Sequence, residues 1–235
     1  MIDVVTVFSP RPEHPQWRDY MPLLRLQRDS AAHFGHRHLM VTDEPEDMRE
    51  FESLAVELPR PLMLAQLAGQ VAYIEQWGGE RPAVFVDADC LITRALDEAF
   101  DGTFDLGLTH RDDATSPINN GAMYVAPGNR DGVLRFFRGA LAVCGEHWGG
   151  DQEAISAMAA PVPTISLDKE TRKHAPTIIE DRDGLRIGFL NGLDYNVSPK
   201  EEGVRHARNP FVVHFKGDTK GWMKTYAEKF VLGPR

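Results

Sequence analysis

Two hydrophobic rhythms alternate along the first ninety residues. Ile2–Phe8 is a continuous, Val-rich apolar run, the pattern of a strand buried on both faces. Ser9-Pro10-Arg11-Pro12 breaks it. From Asp19 to Phe34 the rhythm becomes helical, with Tyr20, Leu23, Leu24, Ala31 and Phe34 near one face and Gly35 as the stop. His38–Thr42 reads as a second strand ending at Asp43, Glu44–Phe51 as a short helix, and Leu54–Leu58 as a third strand. Leu64, Leu67, Ala68, Val71 and Ala72 recur at helical spacing through Pro61–Trp77, which Gly78-Gly79 ends. Ala83–Val86 is a fourth strand running into Asp87-Ala88-Asp89. This β-α-β-α-β-α-β order predicts an α/β fold with a mostly parallel central sheet flanked by helices. Ligands of such sheets bind beyond the carboxyl ends of the strands. Ser9, Asp43 and the Asp87/Asp89 pair stand at three of those ends.

The second half is less regular. Asp105–Thr109 and Gly121–Ala126 read as strands, and Asn129 as the N-cap of a helix whose apolar face holds Val133, Phe136, Phe137, Ala140, Leu141 and Cys144. Gly149-Gly150 opens a helix over Asp151–Ala160. Thr164–Leu167, Thr177–Ile179, Leu185–Phe189 and Phe211–Phe215 are further candidate strands, and Gly217–Phe230 contains a closing helix. With no repeat, low-complexity tract or linker, the expectation is one domain over residues 1–235.

Composition narrows the class. Hydrophobic residues at 42% and charged residues at 26% fit a soluble globular chain. No apolar run approaches the ~18 residues of a membrane span. Met1-Ile2-Asp3-Val4-Val5 lacks the basic start of a secretory signal. Cys90 and Cys144 are too few for a disulfide framework or a thiolate zinc site, so a reduced, cytoplasmic setting is expected. The net charge of -9 argues against a nucleic-acid coat. The charge is uneven, however: residues 200–235 hold eight basic and four acidic side chains. That pattern fits a local anion site or a solvated helix face. Lys224, Lys229 and Arg235 near Trp222, Tyr226, Phe230 and Val231 form a weakly amphipathic stretch, which fits a helix packed on the domain better than a peripheral membrane contact.

Four constellations carry chemistry. Two carboxylates at the end of a buried strand, Asp87 and Asp89, are costly to bring together unless a divalent cation such as Mg²⁺ or Mn²⁺ neutralises them. The acidic-x-acidic spacing occurs six times, against about five by chance, so the selecting feature is the strand Val84-Phe85-Val86 before it. In His214-Phe215-Lys216-Gly217-Asp218-Thr219-Lys220-Gly221-Trp222, His214 ends an apolar strand as a candidate metal ligand. Gly217 lets the backbone approach an anion, and Lys220 supplies a point charge for phosphate. Asn119-Asn120-Gly121 places two amides just before a strand, suited to a hydroxyl-rich ligand but also to an ordinary Asn-Gly turn. Asp151-Gln152 opens a helix, either as a cap or projecting into a site.

In that order the four motifs resemble the GT-A glycosyltransferases, most of all the retaining family 8 type that includes glycogenin and bacterial lipopolysaccharide galactosyltransferases. The resemblance runs from about Met1 to Trp222. It implies a GT-A fold, with residues 1–110 mainly nucleotide-binding and residues 111–235 completing the donor-sugar, acceptor and metal side. It implies Mn²⁺ or Mg²⁺ held by Asp87, Asp89 and His214, and a diphosphate held by Lys220 and the backbone near Gly217. Thr6, Phe8, Ser9, Asp43 and Ala88 would lie near the nucleotide. Asn119, Asn120 and Asp151 would touch the donor sugar, with Gln152 beside the anomeric carbon. The implied reaction moves a hexose from a nucleotide-diphosphate sugar, UDP by family habit, to the hydroxyl of a glycan, lipid, protein or small molecule. Catalytic roles fall to Gln152, Asp151 and Lys220. Two departures stand out: Gly221 replaces a common Pro, and Gln66 and Gln70, with Arg60 upstream, occupy the helix that often carries a donor-contacting Lys.

With Gln152 at the suspected position, no carboxylate nucleophile is evident, and a front-face retaining mechanism is expected. An inverting enzyme would need a carboxylate base, for which Asp151 is the candidate. A nucleotidyltransferase is disfavoured, because no Gly-rich basic loop follows the first strand. A non-catalytic sugar-nucleotide or carbohydrate-binding module, and a glycosyltransferase acting on modified nucleic-acid bases, are the remaining alternatives.

Overall fold

The computed structural model describes residues 1–11, 15–111, 113, 116–162, 177–180, 183–207 and 209–233. The buried run near the N-terminus is β1 (Asp3–Val7), all five residues enclosed. A 3-10 turn over Pro15–Tyr20 leads into α1 (Met21–His33), with Pro22 in the first turn, where its missing N–H costs nothing. Then come β2 (Arg37–Thr42), the short β3 (Ser53–Ala55), α2 (Leu62–Gln76), β4 (Ala83–Val86) and β5 (Cys90–Ile92). A 3-10 turn at Leu96–Ala99 precedes β6 (Leu106–His110) and β7 (Ile118–Val125). Next are α3 (Arg130–Val143) and α4 (Gly150–Met158), then β8 (Thr177–Glu180), β9 (Arg186–Asn191), α5 (Gly192–Tyr195) and β10 (Val212–His214). A 3-10 segment, Gly217–Trp222, joins β10 to α6 (Met223–Phe230).

The main sheet has eight strands in the order β3-β2-β1-β4-β7-β6-β9-β8. Pairings β2–β3, β1–β2, β1–β4 and β6–β9 are parallel; β4–β7, β6–β7 and β8–β9 are antiparallel. The mostly parallel sheet is as expected. β5 and β10 form a separate antiparallel ribbon. Alternation along the strands divides the core. Val5, Val7 and Phe85 pack under α2, α3 and α4, whereas Val4, Val84 and Val86 pack with Ala31 of α1 and with the ribbon. Phe85 meets Tyr73 and Phe137 edge-on at 5.5 and 5.6 Å. Burying one such side chain contributes roughly 1.5–3 kcal/mol.

Several sequence expectations need correction. Glu44–Phe51 is not a helix. It is a chain of turns, with Met48 N–H donating to Pro45 O and Phe51 N–H to Met48 O, which seats Met48 and Phe51 against Leu24 and Met40. The third strand is three residues long and begins one residue earlier. β7 begins at Ile118, so Asn119, Asn120 and Gly121 lie inside a strand rather than in a turn before it. Gly217–Phe230 does contain the expected closing helix, α6, preceded by the 3-10 segment. The strand expected at Thr164–Leu167 falls outside the described residues. No described helix is long and apolar enough to cross a membrane.

Candidate active site

The site is built around the turn that joins β4 to β5. Cys90 N–H closes the turn onto Asp87 O at 3.2 Å, and Asp87 N–H donates to Gly121 O on β7 at 3.3 Å. Phe215 N–H holds Asp89 O from the far side at 2.8 Å. The anchor underneath is Gln27 of α1, fully buried. Its Nε2 donates to Asp87 O at 2.6 Å and to Cys90 O at 3.3 Å. Its Oε1 accepts from Thr6 Oγ1 at 2.7 Å and meets His38 Nε2 at 3.0 Å. Burial pushes the His38 pKa down to about 4, so its ring is neutral and its Nε2–H is the donor. The sequence reading missed Gln27. The Thr6 side chain is enclosed and its hydroxyl donates to Gln27, so it braces the turn from below.

β10 runs antiparallel to β5 with His214 opposite Cys90. That register brings His214 Nε2 to 3.0 Å from Asp89 Oδ1 and 3.4 Å from Asp87 Oδ2. The other Asp89 oxygen is 3.2 Å from Lys220 Nζ. Burial alone would raise the Asp89 carboxyl; hydrogen bonding and charge from His214, then Lys220, outweigh it and hold the group below its ordinary value. Asp87 is raised, mainly by loss of surrounding water, although 40% of its side chain stays exposed. The His214 charge opposes that rise, and Asp89 and Asp151 add to it. Gly121 makes the arrangement possible: a Cβ there would sit 2.1 Å from His214 Nδ1.

His214 Nε2 thus lies between one oxygen of each aspartate, and carboxylates with an imidazole nitrogen are donors that suit Mn²⁺ or Mg²⁺. Ligating atoms of Asp89, Cys90 and His214 also lie within 4.8 Å of one another. Burial pushes the Cys90 thiol well up, and its S–H donates to Gly121 O at 3.3 Å. The thiol therefore remains protonated, and the oxygen and nitrogen donors fit a hard cation.

β7 and α4 form the adjoining wall. Asn119 Oδ1 accepts from Lys216 Nζ at 2.9 Å and from Gly121 N–H at 3.3 Å. Asn120 Nδ2 donates to Asp151 Oδ2 at 3.3 Å, and the buried Asn120 Oδ1 has no partner. Gly149, at φ +88°, turns the chain so that Asp151 opens α4. Burial raises the Asp151 carboxyl, offset in part by Asn120 and by the N–H groups of Gln152 and Asp151. With its amide oriented to satisfy both ends, Gln152 donates to Ile118 O at 3.1 Å and accepts from Arg111 Nη2 at 2.9 Å and from Ser116 Oγ. Lys216 and Arg111 are further residues of this wall that the sequence reading did not single out.

Beyond the ends of β1 and β2, Phe8 packs against Tyr20 at 5.9 Å, with the half-buried Ala88 in the same cluster. Ser9 Oγ donates to Asp43, whose other oxygen pairs with Arg11 at 3.3 Å. Arg11 also donates to Pro59 O at 2.8 Å. Lys220 Nζ sits 5.1 Å from the Tyr20 ring centroid. Gly217 adopts φ +54° with open space around it, and the 3-10 segment it begins has no buried residue. The structure thus joins Asp87, His214, Asp89 and Lys220 in one chain of contacts, with Asn119, Asn120, Asp151 and Gln152 on the wall beside them. On α2, Gln70 is enclosed and Gln66 half-buried.

No family model matches the sequence, and no curated protein matches it. Solved structures do. The chain is similar to a glycosyltransferase involved in the glycosylation of the major capsid of PBCV-1, at 13% identity and TM-score 0.59, over 97% of this chain and 98% of that one. It is similar to the glycosyltransferase GlyE of Streptococcus pneumoniae TIGR4, at 12% identity and TM-score 0.56, over 98% of this chain but 60% of GlyE. The galactosyltransferase LgtC, solved with donor and acceptor sugar analogs, matches at 12% identity and TM-score 0.52 over 99% of this chain and 98% of LgtC. LgtC has also been solved with an active-site glutamine replaced by glutamate. The fold is that of the GT-A glycosyltransferases.

Proposed function

We propose that this protein is a metal-dependent glycosyltransferase that moves a hexose unit from a UDP-sugar to an acceptor hydroxyl with retention of anomeric configuration. The observation that carries the reading is the meeting of Asp87, Asp89, His214 and Lys220 beyond the carboxyl end of β4, in a fold shared with glycosyltransferases. Asp87, Asp89 and His214 hold the divalent cation, Mn²⁺ or Mg²⁺. When bound, that cation supplies Lewis-acid stabilisation of negative charge on the leaving diphosphate.

Breaking the C1–O bond leaves positive character at C1 and negative charge on the diphosphate oxygen. Lys220 turns from Asp89 to the diphosphate, with the backbone at Gly217 beside it, and stabilises that charge. Phe8, Ser9, Asp43 and Ala88 frame the nucleoside side. Asn119, Asn120 and Asp151 orient the donor sugar through its hydroxyls. Gln152 lies against the anomeric carbon on the face away from the leaving group. A glutamine is also an active-site residue of the galactosyltransferase that shares this fold. An amide there stabilises positive character without forming a covalent bond, which favours front-face attack with the leaving diphosphate accepting the acceptor proton.

One observation favours a second reading. Asp151 is a buried carboxylate on the wall beside the aspartates, raised by its burial, and a carboxylate base is the group an inverting reaction needs. NMR of the product formed from a UDP-hexose and Mn²⁺ separates the two. Retained configuration supports the first reading and an inverted product the second. No UDP release from any UDP-sugar sinks both.

A further inference from the structure

Asp3 opens β1 with a carboxylate that is only 1% exposed. Strand alternation puts it on the face of Val5 and Val7, which pack under α2. There it meets Tyr73 and Trp77 at the end of α2, with Arg37 beside it in register on β2. These residues, with Leu39, Leu54, Glu52 and Arg81, line a cavity of about 240 Å³. It lies at the amino ends of β1, β2 and β3, whereas Asp87 and Asp89 stand beyond the carboxyl end of β4, which runs parallel to β1. The length of the sheet separates this cavity from the candidate active site.

Two polar atoms on these walls lack partners. Tyr73 OH donates to Asp3 Oδ2 at 2.9 Å, Arg81 Nη2 reaches the same oxygen at 3.3 Å, and Arg37 Nη1 stands 3.6 Å from it. Asp3 Oδ1 has no hydrogen-bond partner among the described residues. The indole N–H of Trp77, a residue 6% exposed, has none either. Leaving an enclosed acceptor and an enclosed donor unmet costs free energy. A carboxylate that served only to brace arginines would use both of its oxygens. Arg81 is the movable edge of the cavity, since its side chain is 43% exposed and its contact to Asp3 is long.

The lining specifies the ligand's chemistry. Its charges cancel, Asp3 and Glu52 against Arg37 and Arg81, and Arg37 already forks onto Glu52, so a neutral molecule fits better than an ion. The two orphaned atoms ask for a ligand that both donates and accepts, as hydroxyl groups do. Leu39 and Leu54 supply an apolar wall for C–H groups. Tyr73 and Trp77 are enclosed and stacked on each other, so neither offers an open face to a planar base. The volume is below the roughly 300–1,000 Å³ of drug-sized sites, which suits a single small ring. We propose that this cavity is a saccharide-binding site for one neutral pyranose unit, with Asp3 Oδ1 and the Trp77 indole N–H holding its hydroxyls. The site is separate from the transferase reading and does not depend on it.

The test is NMR of the four tryptophan indole N–H resonances, with that of Trp77 assigned by its loss in Trp77→Phe. Methyl pyranosides of glucose, galactose and mannose are titrated without nucleotide or Mn²⁺. At least one is expected to shift the Trp77 resonance saturably, with a Kd in about the millimolar range for so small a ligand. Saturation transfer to that pyranoside is expected to weaken several-fold in Trp77→Phe. It is expected to vanish in Leu54→Arg, where a long side chain at a half-buried position of the short strand β3 fills the cavity. A Trp77 resonance unmoved by every pyranoside up to about 100 mM overturns the inference. So does a shift that persists in full in Leu54→Arg, and so does a response to inorganic phosphate or uracil in place of the pyranosides, which would mark an anion or base site. UDP with Mn²⁺ is titrated separately, and its failure to bind would remove the transferase reading while leaving this result intact.

Discussion

Substituting Gly121 by alanine tests the site's geometry most sharply. The added Cβ would lie 2.1 Å from His214 Nδ1 and 2.2 Å from Cε1. Ordinary contact needs about 3.5 Å, so the ring must move by roughly 1.4 Å or β7 must separate from β10. His214 is 4% exposed, and its Nε2 is tied to both aspartates, so the ring has little room to yield. Overpacking of this kind costs about 1–3 kcal/mol. For a domain of this size that lowers Tm by roughly 2–12 °C. A double-mutant cycle isolates the cause. With His214→Ala already present, Gly121→Ala is expected to cost nothing or to stabilise slightly, because alanine is stiffer than glycine in a strand. Thermal and urea unfolding of the four proteins gives the coupling directly. Equal destabilisation by Gly121→Ala with and without His214, or an unchanged Tm in the single mutant, refutes the reasoning.

Gln27→Leu strands Asp87 O, Cys90 O, the Thr6 hydroxyl and His38; urea unfolding is expected to show a loss of about 1–3 kcal/mol, and Mn²⁺ titration weaker binding. Lys220→Met removes the cation now paired with Asp89, so Mn²⁺ alone should bind several-fold more tightly while UDP in its presence binds more weakly; both shifts in the same direction would contradict the assignment. Asp151 is raised in the folded state, so it reduces stability as pH climbs from its unfolded toward its folded value, and the deficit is complete above the latter. Asp151→Asn is therefore expected to raise Tm at neutral pH but not in strong acid. The same variant should slow transfer by 10²–10⁴-fold if Asp151 is the base, and much less if it only orients the sugar.

The first half of the fold follows from local signals. Continuous apolar runs mark β1, β2 and β4, and helical spacing marks α2. Where local pattern and tertiary packing disagree, packing decides. Met48 and Phe51, three apart, imitate a helix, but successive turns let both reach the same apolar pocket. Cys90–Ile92 is too short to register as a strand until β10 arrives to pair with it. Asn119 and Asn120 carry a turn signature, yet sit in a buried strand because Lys216 and Asp151 satisfy their amides. Asp87, Asp89, His214 and Lys220 were readable from motif and context. Gln27 and Lys216 were not, since their partners lie 60 and 97 residues away along the chain. The bracing role of the Thr6 hydroxyl was not legible either, since a strand buried on both faces gives no sign of which side chains meet solvent.

The central claim is a cation-assisted nucleotide site at Asp87, Asp89 and His214. Calorimetric titration of UDP into wild type and Asp89→Ala, each with and without Mn²⁺, tests it most directly. The account predicts that wild type with Mn²⁺ binds UDP at least about tenfold more tightly than wild type without it, and that Asp89→Ala abolishes this metal dependence. UDP affinity indifferent to Mn²⁺, or metal-dependent binding that survives in Asp89→Ala, would contradict it.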